Sequence, residues 1–315
     1  MHSHRLRHHD PKSDLFMSVL VVGSTALDSI KTPKAEKPRL LGGSASHAGV
    51  AASFFAPINL VGIVGDDFPK KYVDLYRRHG IDLAGLQRVA GKTFHWAGEY
   101  EVNMNNRRTL TTELGVFETF QPDLPPAYRQ TPFVLLANIA PALQLHVLDQ
   151  MQRPRFVIAD TMDLWLNIAM ADLLRLLKRV DALVLNDSEA RQLTQEDNVV
   201  VAAKKIHKLG PKHVIVKKGE HGSILSSPRG MFLCPAFPLA KVVDPTGAGD
   251  SFVGGLIGYL AGARGSVDSN LRRAMIFGSV TASFCCEGFG LSRTTKTTRA
   301  LIDARVAELE KMVTT

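Results

Sequence analysis

Cysteine is scarce in this chain, three residues in 315: Cys234 and the adjacent Cys285 and Cys286. Three thiols make neither an even disulfide framework nor the CxxC spacing of a zinc site, so a stapled secreted scaffold is excluded and a reducing, cytoplasmic setting is expected. Cys285 and Cys286 lie in the apolar stretch GSVTASFCCEG, where buried structural thiols are expected. No apolar run approaches the ~20 residues that cross a bilayer. The longest, such as FVLLANIA at 133–140, contain or adjoin polar residues, and no membrane partner is expected. The first sixteen residues hold four histidines and three Lys/Arg but no apolar segment of the kind a signal peptide needs. Residues 1–16 are therefore expected to be a disordered basic extension and 17–315 one folded unit.

Two nucleotide motifs are also missing. No GxxxxGK[ST] occurs, which argues against a P-loop, and the dinucleotide pattern GxGxxG fails at its last glycine in both GAGDSF and GFGLSR.

Positive charge is in excess, with 38 Lys+Arg against 30 Asp+Glu and a net charge of +8. The basic residues are scattered, in segments such as KTPKAEKPR and AAKKIHKLGPKHVIVKK, with no interleaved aromatic platform or helix-turn-helix signature. A solvated surface that steers a small anion accounts for them, and no nucleic-acid partner is expected.

The remaining pattern is alternation. SVLVVGSTALDSI reads as a strand from Val19 to Val22 with Asp28 a few residues past its end, and GGSASHAGVAASFF as a glycine turn into a helix near Ser44 or Ser46. INLVGIVGDDF is a second buried strand, and PKKYVDLYRRHG an amphipathic helix stopped by Gly80. Strand and helix runs resume after residue 132 and continue to HVIVKKG, which predicts a mainly parallel sheet with helical crossovers. Between them, residues 92–113 alternate polar and apolar around an Asn-Asn turn, predicting an antiparallel hairpin. With the exposed excursion at 31–41 it forms an expected β-stranded lid insertion. Ligands of such sheets bind beyond the carboxyl ends of the strands, which here carry Asp28, Asp66, Asn138, Asp160, Asn186 and Lys217.

The stretch with the most chemistry is VVDPTGAGDSFVGG at 242–255. If Gly247, Ala248 and Gly249 form the first turn of a helix, their N–H groups have no intrahelical acceptors and, with the helix dipole, suit a phosphate. Asp250 falls within one turn of that site. Spacing alone leaves it evenly balanced between a base taking a proton from an attacking hydroxyl and a carboxylate that favours the helix N-terminus by ~0.3–1 kcal/mol.

DPTGAGDSFVGG resembles the C-terminal signature of the ribokinase-like (PfkB) carbohydrate kinases, and GGSASHAGVAASFF with LVGIVGDDF resembles their N-terminal one. NDSEA at 186–190 and VIVKKGEHGSIL at 214–225 extend the likeness, which runs from about Met17 to Leu309. The resemblance implies a three-layer α/β/α sandwich with a small β-stranded lid, and transfer of the γ-phosphate of ATP to a hydroxyl of a small polyhydroxylated substrate, a sugar first, with a nucleoside or a cyclitol such as myo-inositol as alternatives. From another class, a non-catalytic small-molecule-binding regulator is the rival.

By position, the resemblance implies Asp250 as general base and Gly247, Ala248 and Gly249 as the anion hole. It implies Asp28, Gly42, Gly43 and His47 on the substrate, and Asn186, Glu189, Lys217, Gly219, Gly222, Thr246 and Gly288 on the nucleotide. Asn186 and Glu189 would organise Mg²⁺ through water. A weaker carry-over places a monovalent cation such as K⁺ near Asp244 and Ser292. A homodimer through the lid is implied as well. His47 and Ala26 stand where ribokinase-type members carry asparagine, which puts ribose in doubt. His47 either faces the substrate or is a satisfied core histidine. His95 and Trp96 either cover the substrate or form a surface patch, Arg107 and Arg108 are read first as solvated charge and second as a contact to substrate or to a dimer mate, and Phe94, Trp96 or Phe117 are available as a slot for a nucleobase.

Overall fold

The computed structural model describes residues 17–104 and 106–314. The expected basic extension at 1–16, and Asn105 of the Asn-Asn turn, lie outside the described residues.

In chain order the strands are β1 (Val19–Val22), β2 (Ala26–Thr32), β3 (Ala35–Gly42), β4 (Ile58–Val64), β5 (Ile81–Arg88), β6 (His95–Tyr100), β7 (Arg107–Glu113), β8 (Phe133–Leu136), β9 (Phe156–Asp160), β10 (Ala182–Asn186), β11 (His213–Lys217), β12 (Ser223–Ser227) and β13 (Gly230–Cys234). The helices are α1 (Ser44–Ser53), α2 (Lys70–Arg78), α3 (Pro141–Gln150), α4 (Asp163–Ile168), α5 (Met170–Leu177), α6 (Asp187–Thr194), α7 (Val199–His207), α8 (Ala248–Gly262), α9 (Val267–Cys286) and α10 (Arg299–Val313).

Nine strands form one sheet in the order β13-β12-β11-β10-β9-β8-β1-β4-β5. Pairing from β5 through β11 is parallel throughout, and the hairpin β12–β13 adds two antiparallel strands at one edge. A parallel sheet covered on both faces needs strands that are apolar on both sides. In β1, Val19 and Val21 enter the core under α1, α8 and α9, while Leu20 and Val22 enter the core under α3, α5 and α7. All four are fully buried. The architecture is the expected three-layer α/β/α sandwich.

A second sheet of four strands, β3-β2-β6-β7, stands apart. It joins the hairpin β2–β3 to the hairpin β6–β7 through a parallel pairing of β2 with β6. This sheet starts earlier than the expected excursion at 31–41: β2 begins at Ala26, directly after the turn that ends β1. Asp28 is consequently in the middle of a strand of the second sheet, not at the carboxyl end of β1. The expectation failed because the buried run resumes after only three residues, and a connection that short was read as part of the strand end.

Three other stretches carried no assignment from pattern. Strand β5 is interrupted by Asp82, Gly85 and Gln87, tolerable at an edge that pairs only with β4. The β12–β13 hairpin has a largely exposed outer strand, and α9 is buried around most of its circumference, so its sequence shows no amphipathic stripe.

Candidate active site

The site lies where the carboxyl ends of β9, β10 and β11, the N-terminus of α8 and one face of the second sheet meet. On the second sheet, Asp28 is 5% exposed, and its Oδ2 accepts the backbone N–H of Gly43 at 3.3 Å. A Cβ on Gly42 would overlap that carboxyl group. Gly43 has φ 90, a conformation that side chains disfavour, and it turns the chain directly into α1. Reciprocal bonds brace this turn to the end of β1: Ser44 N–H donates to Ser24 Oγ at 2.9 Å, and Ser24 N–H to Ser44 Oγ at 3.1 Å. Burial pushes the Asp28 carboxyl up to about 7; the Gly43 N–H opposes this, and the nearby charges of Asp250 and Asp244 add to it.

Facing Asp28 from the large sheet is the loop into α8. Gly247 precedes the helix in the left-handed region, φ 77, and Asp250 stands in its first turn. Ala248 N–H donates to Pro245 O at 3.1 Å, so that amide is committed within the turn. This corrects the expectation of three ligand-facing amides; Gly247 and Gly249 are the ones available for an anion. The Asp250 carboxyl is raised by desolvation, against which the Lys217 and Arg107 cations work.

Lys217 ends β11 in register with Asn186 at the end of β10. Its Nζ lies 3.2 and 3.3 Å from the two carboxyl oxygens of Asp160, which ends β9. Burial works to lower the lysine, but Asp160, Glu189 and Asp250 together hold it above the ordinary range. Asn186 and Glu189 form a capping box at the start of α6: Glu189 N–H donates to Asn186 Oδ1 at 2.8 Å and Asn186 N–H to Glu189 Oε2 at 2.7 Å. Burial pushes Glu189 up to about 7, opposed by Lys217.

A cavity of about 530 Å³ opens beside these groups. Its wall combines Lys217, Gly219, Gly222, Ala248 and Gly249 with the apolar side chains of Phe237, Leu239, Phe252 and Ala282. Asn103 and Met104, from the turn between β6 and β7, also line it. A lysine and glycine-rich backbone suit phosphates, and the apolar side chains suit a flat ring.

The model of the pfkB family carbohydrate kinases matches residues 18–298. The chain belongs to this family. Among its relatives, the cytidine kinase of Thermococcus kodakarensis is 30% identical over 255 residues, spanning 78% of this chain and 90% of that protein. The nucleoside kinase of Methanocaldococcus jannaschii superposes with a TM-score of 0.75 at 21% identity, covering 93% of this chain and 98% of the other. The Salmonella enterica aminoimidazole riboside kinase, solved with aminoimidazole riboside and an ATP analogue, superposes at 0.73 and 19% identity, covering 92% and 99%. The protein is a carbohydrate or nucleoside kinase with the ribokinase fold.

Within this PfkB kinase, several expected site residues take other places. His47 is 1% exposed and lies under the anion loop, its ring against Gly247 and its Nδ1 3.7 Å from Cys285 Sγ. Burial pushes it down to about 4, so it is neutral, and its Nε2 has no hydrogen-bond partner among the described residues. It underpins the loop rather than offering an open face to substrate. Thr246 donates its hydroxyl to Tyr100 OH at 3.0 Å, tying the loop to the second sheet. Gly288 is not on the cavity wall; Cys286 and Ser283, earlier on α9, are. Asp244 is fully buried and accepts Thr246 N–H at 2.9 Å and Gly290 N–H at 2.8 Å. Each of its oxygens accepts one of these bonds, so the carboxylate braces the loop. No group of three His, Cys, Asp or Glu side chains that could hold a metal ion directly exists among the described residues. Mg²⁺ needs no such group, since one or two side chains, waters and substrate phosphates commonly hold it, and Asn186 and Glu189 remain the pair expected to meet it through water.

Sequence reasoning missed Tyr100, and for Arg107 it set the substrate contact behind solvated charge. Arg107 opens β7, with its guanidinium 5.5 Å from the Trp96 ring, and its charge acts on both Asp28 and Asp250. Arg108 instead pairs with Glu99 at 2.7 Å. Strand parity was the available signal: adjacent arginines on one strand face opposite sides. The same parity separates Trp96 from His95, which bonds Ser29 at 3.0 Å and Glu113 at 3.2 Å. Phe94 and Phe117 stack on each other, centroids 5.4 Å apart, and Phe117 continues onto Phe120.

Proposed function

We propose that this kinase transfers the γ-phosphoryl group of ATP to a hydroxyl of a nucleoside, with Asp250 as the general base. Asp28 would hold the ribose hydroxyls against the Gly42–Gly43 turn. Asp250 accepts the proton as the hydroxyl oxygen attacks phosphorus, and the Gly247 and Gly249 amides face the charge on the transferring oxygens. One such donor is commonly worth ~2.7–4 kcal/mol in the transition state. Mg²⁺ held through water by Asn186 and Glu189 would neutralise phosphate charge.

One observation carries the choice of acceptor. Asp28 and Trp96 are register partners on the adjacent strands β2 and β6, so a carboxylate and an indole stand side by side on one face. A group that grips a diol next to an aromatic surface suits a sugar bearing a planar base, whereas a bare hexose or a cyclitol brings no ring to stack on the indole. The name of the cytidine kinase relative agrees with this. The base, the loop and the Asn186–Glu189 pair are all in place, which supports turnover over a binding-only regulator.

The homodimer expected through the second sheet belongs to the same proposal. It would use the opposite face, where Glu99 pairs with Lys31 at 2.9 Å and with Arg108.

The test is ADP release with a panel of ribonucleosides, ribose, fructose and myo-inositol. A nucleoside is expected to give the highest kcat/KM. A hexose or cyclitol ahead by tenfold would overturn the acceptor, and saturable binding with no turnover on any of them would favour the regulator.

A further inference from the structure

We propose that Lys217 is a catalytic residue that meets the charge of the transferred phosphoryl group, and that Asp160 is the positioning residue that holds it there. The inference rests on the kinase reading above and deepens it.

The chain has no P-loop and hence no P-loop lysine. Lys217 brings the same charge from a different element, the end of strand β11, to the wall of the cavity beside Gly249. A Cβ on Gly249 would lie 3.1 Å from its Nζ, so the ammonium stands beside one of the two amides available for an anion. An ammonium has three N–H donors, and the Asp160 carboxylate takes at most two of them. At least one donor is left for a phosphate oxygen.

Charge balance points the same way. Three carboxyl groups, Asp160, Glu189 and Asp250, act on this one lysine. Arg107 reaches Asp250 from the second sheet, but it is exposed, whereas the Lys217 side chain is 19% exposed. Without Lys217 the large-sheet side of the site would present net negative charge to a triphosphate. Coulomb attraction of a point charge at this depth is screened far less than at the surface. In the transfer the Pγ–O bond to ADP breaks as the O–P bond to the acceptor forms, and the hydroxyl proton goes to Asp250. Lys217 stays protonated throughout. Asp160 makes no contact with the reacting atoms in this scheme; it fixes the ammonium so that no reorganisation is needed when charge develops.

Removing either partner alone leaves a buried charge unpaired, which threatens folding in its own right. The test therefore compares Lys217→Met, Asp160→Asn, Lys217→Arg and the neutral double variant Lys217→Met/Asp160→Asn in the full chain. Three readouts are taken: thermal midpoint, calorimetric Kd for ATP and for ADP with Mg²⁺, and kcat with the best acceptor of the panel. The double variant is expected to recover the parent's thermal midpoint yet remain at least ~100-fold down in kcat. Its ATP Kd is expected to rise at least tenfold more than its ADP Kd, and Lys217→Arg should retain more turnover than Lys217→Met. A double variant within threefold of the parent in kcat would overturn the proposal and leave the pair as a packing unit. If the parent turns over no acceptor, the kinase reading fails separately, and an ATP-to-ADP affinity ratio unchanged in the folded double variant would still refute Lys217.

Discussion

The carboxyl group of Asp28 rests on the α-carbon of Gly42, so closely that no side chain fits between them. The two residues are fourteen apart in sequence, and the hairpin β2–β3 brings them together one step from its open end, with Ala26 opposite Gly42 and Asp28 opposite Leu40. Substrate grip and backbone floor are thus one unit of the second sheet.

Gly42→Ala should push the carboxylate aside, and because the added methyl group also crowds the buried Asp28 Cβ, strand β2 must give as well. The acceptor KM is expected to rise at least tenfold and the thermal midpoint to fall, with the ATP KM little changed. Steady-state kinetics with each substrate varied in turn, alongside a melting curve, check this.

Asp28 also sets a pH dependence. Its carboxyl ionises at 3.8 in the unfolded reference and at about 7 in the fold. The folded chain holds a proton that the unfolded chain releases between those values, so the contribution is complete below about pH 4 and lost as pH rises through 7. Asp28→Asn cannot ionise. It should melt several degrees above the parent at pH 8, with the gap closing as the pH falls to 4.

Asp250→Asn keeps the shape of the α8 first turn and removes the proton acceptor. The expected outcome is a kcat lowered ~10²–10⁴-fold with a near-normal ATP Kd. Near-normal turnover in this variant would remove Asp250 from the role of base.

Asn186→Ala breaks the capping box of α6 and should cost about 1 kcal/mol, a fall of roughly 1–2 °C in thermal midpoint. Because the same side chain is proposed to organise Mg²⁺, the Mg²⁺ concentration for half-maximal rate should rise as well. A stability loss with an unchanged Mg²⁺ requirement would confine Asn186 to the cap.

Much of this protein was legible from residue order alone, for reasons local to the chain. Val19–Val22 reads as a strand because a parallel strand covered on both faces must be apolar at every position. The spacing Gly247-x-Gly249-Asp250 marks a helix start because a glycine in the left-handed region lets the chain turn sharply into the first helical residues. Tertiary structure decided the rest. Whether Arg107 or Arg108 faces the site depends on strand parity and on the irregular register between β6 and β7, and no local spacing fixes that. His47 went beneath the anion loop because α1 and α8 pack together, which sets its ring against Gly247, two hundred residues away. Lys217 meets Asp160 only because β9, β10 and β11 lie side by side and end at one edge. Sequence determines which chemical groups the strand ends and turns carry; long-range packing determines which of those groups share one buried field, since burial and distance, not order along the chain, set how strongly charges act on one another.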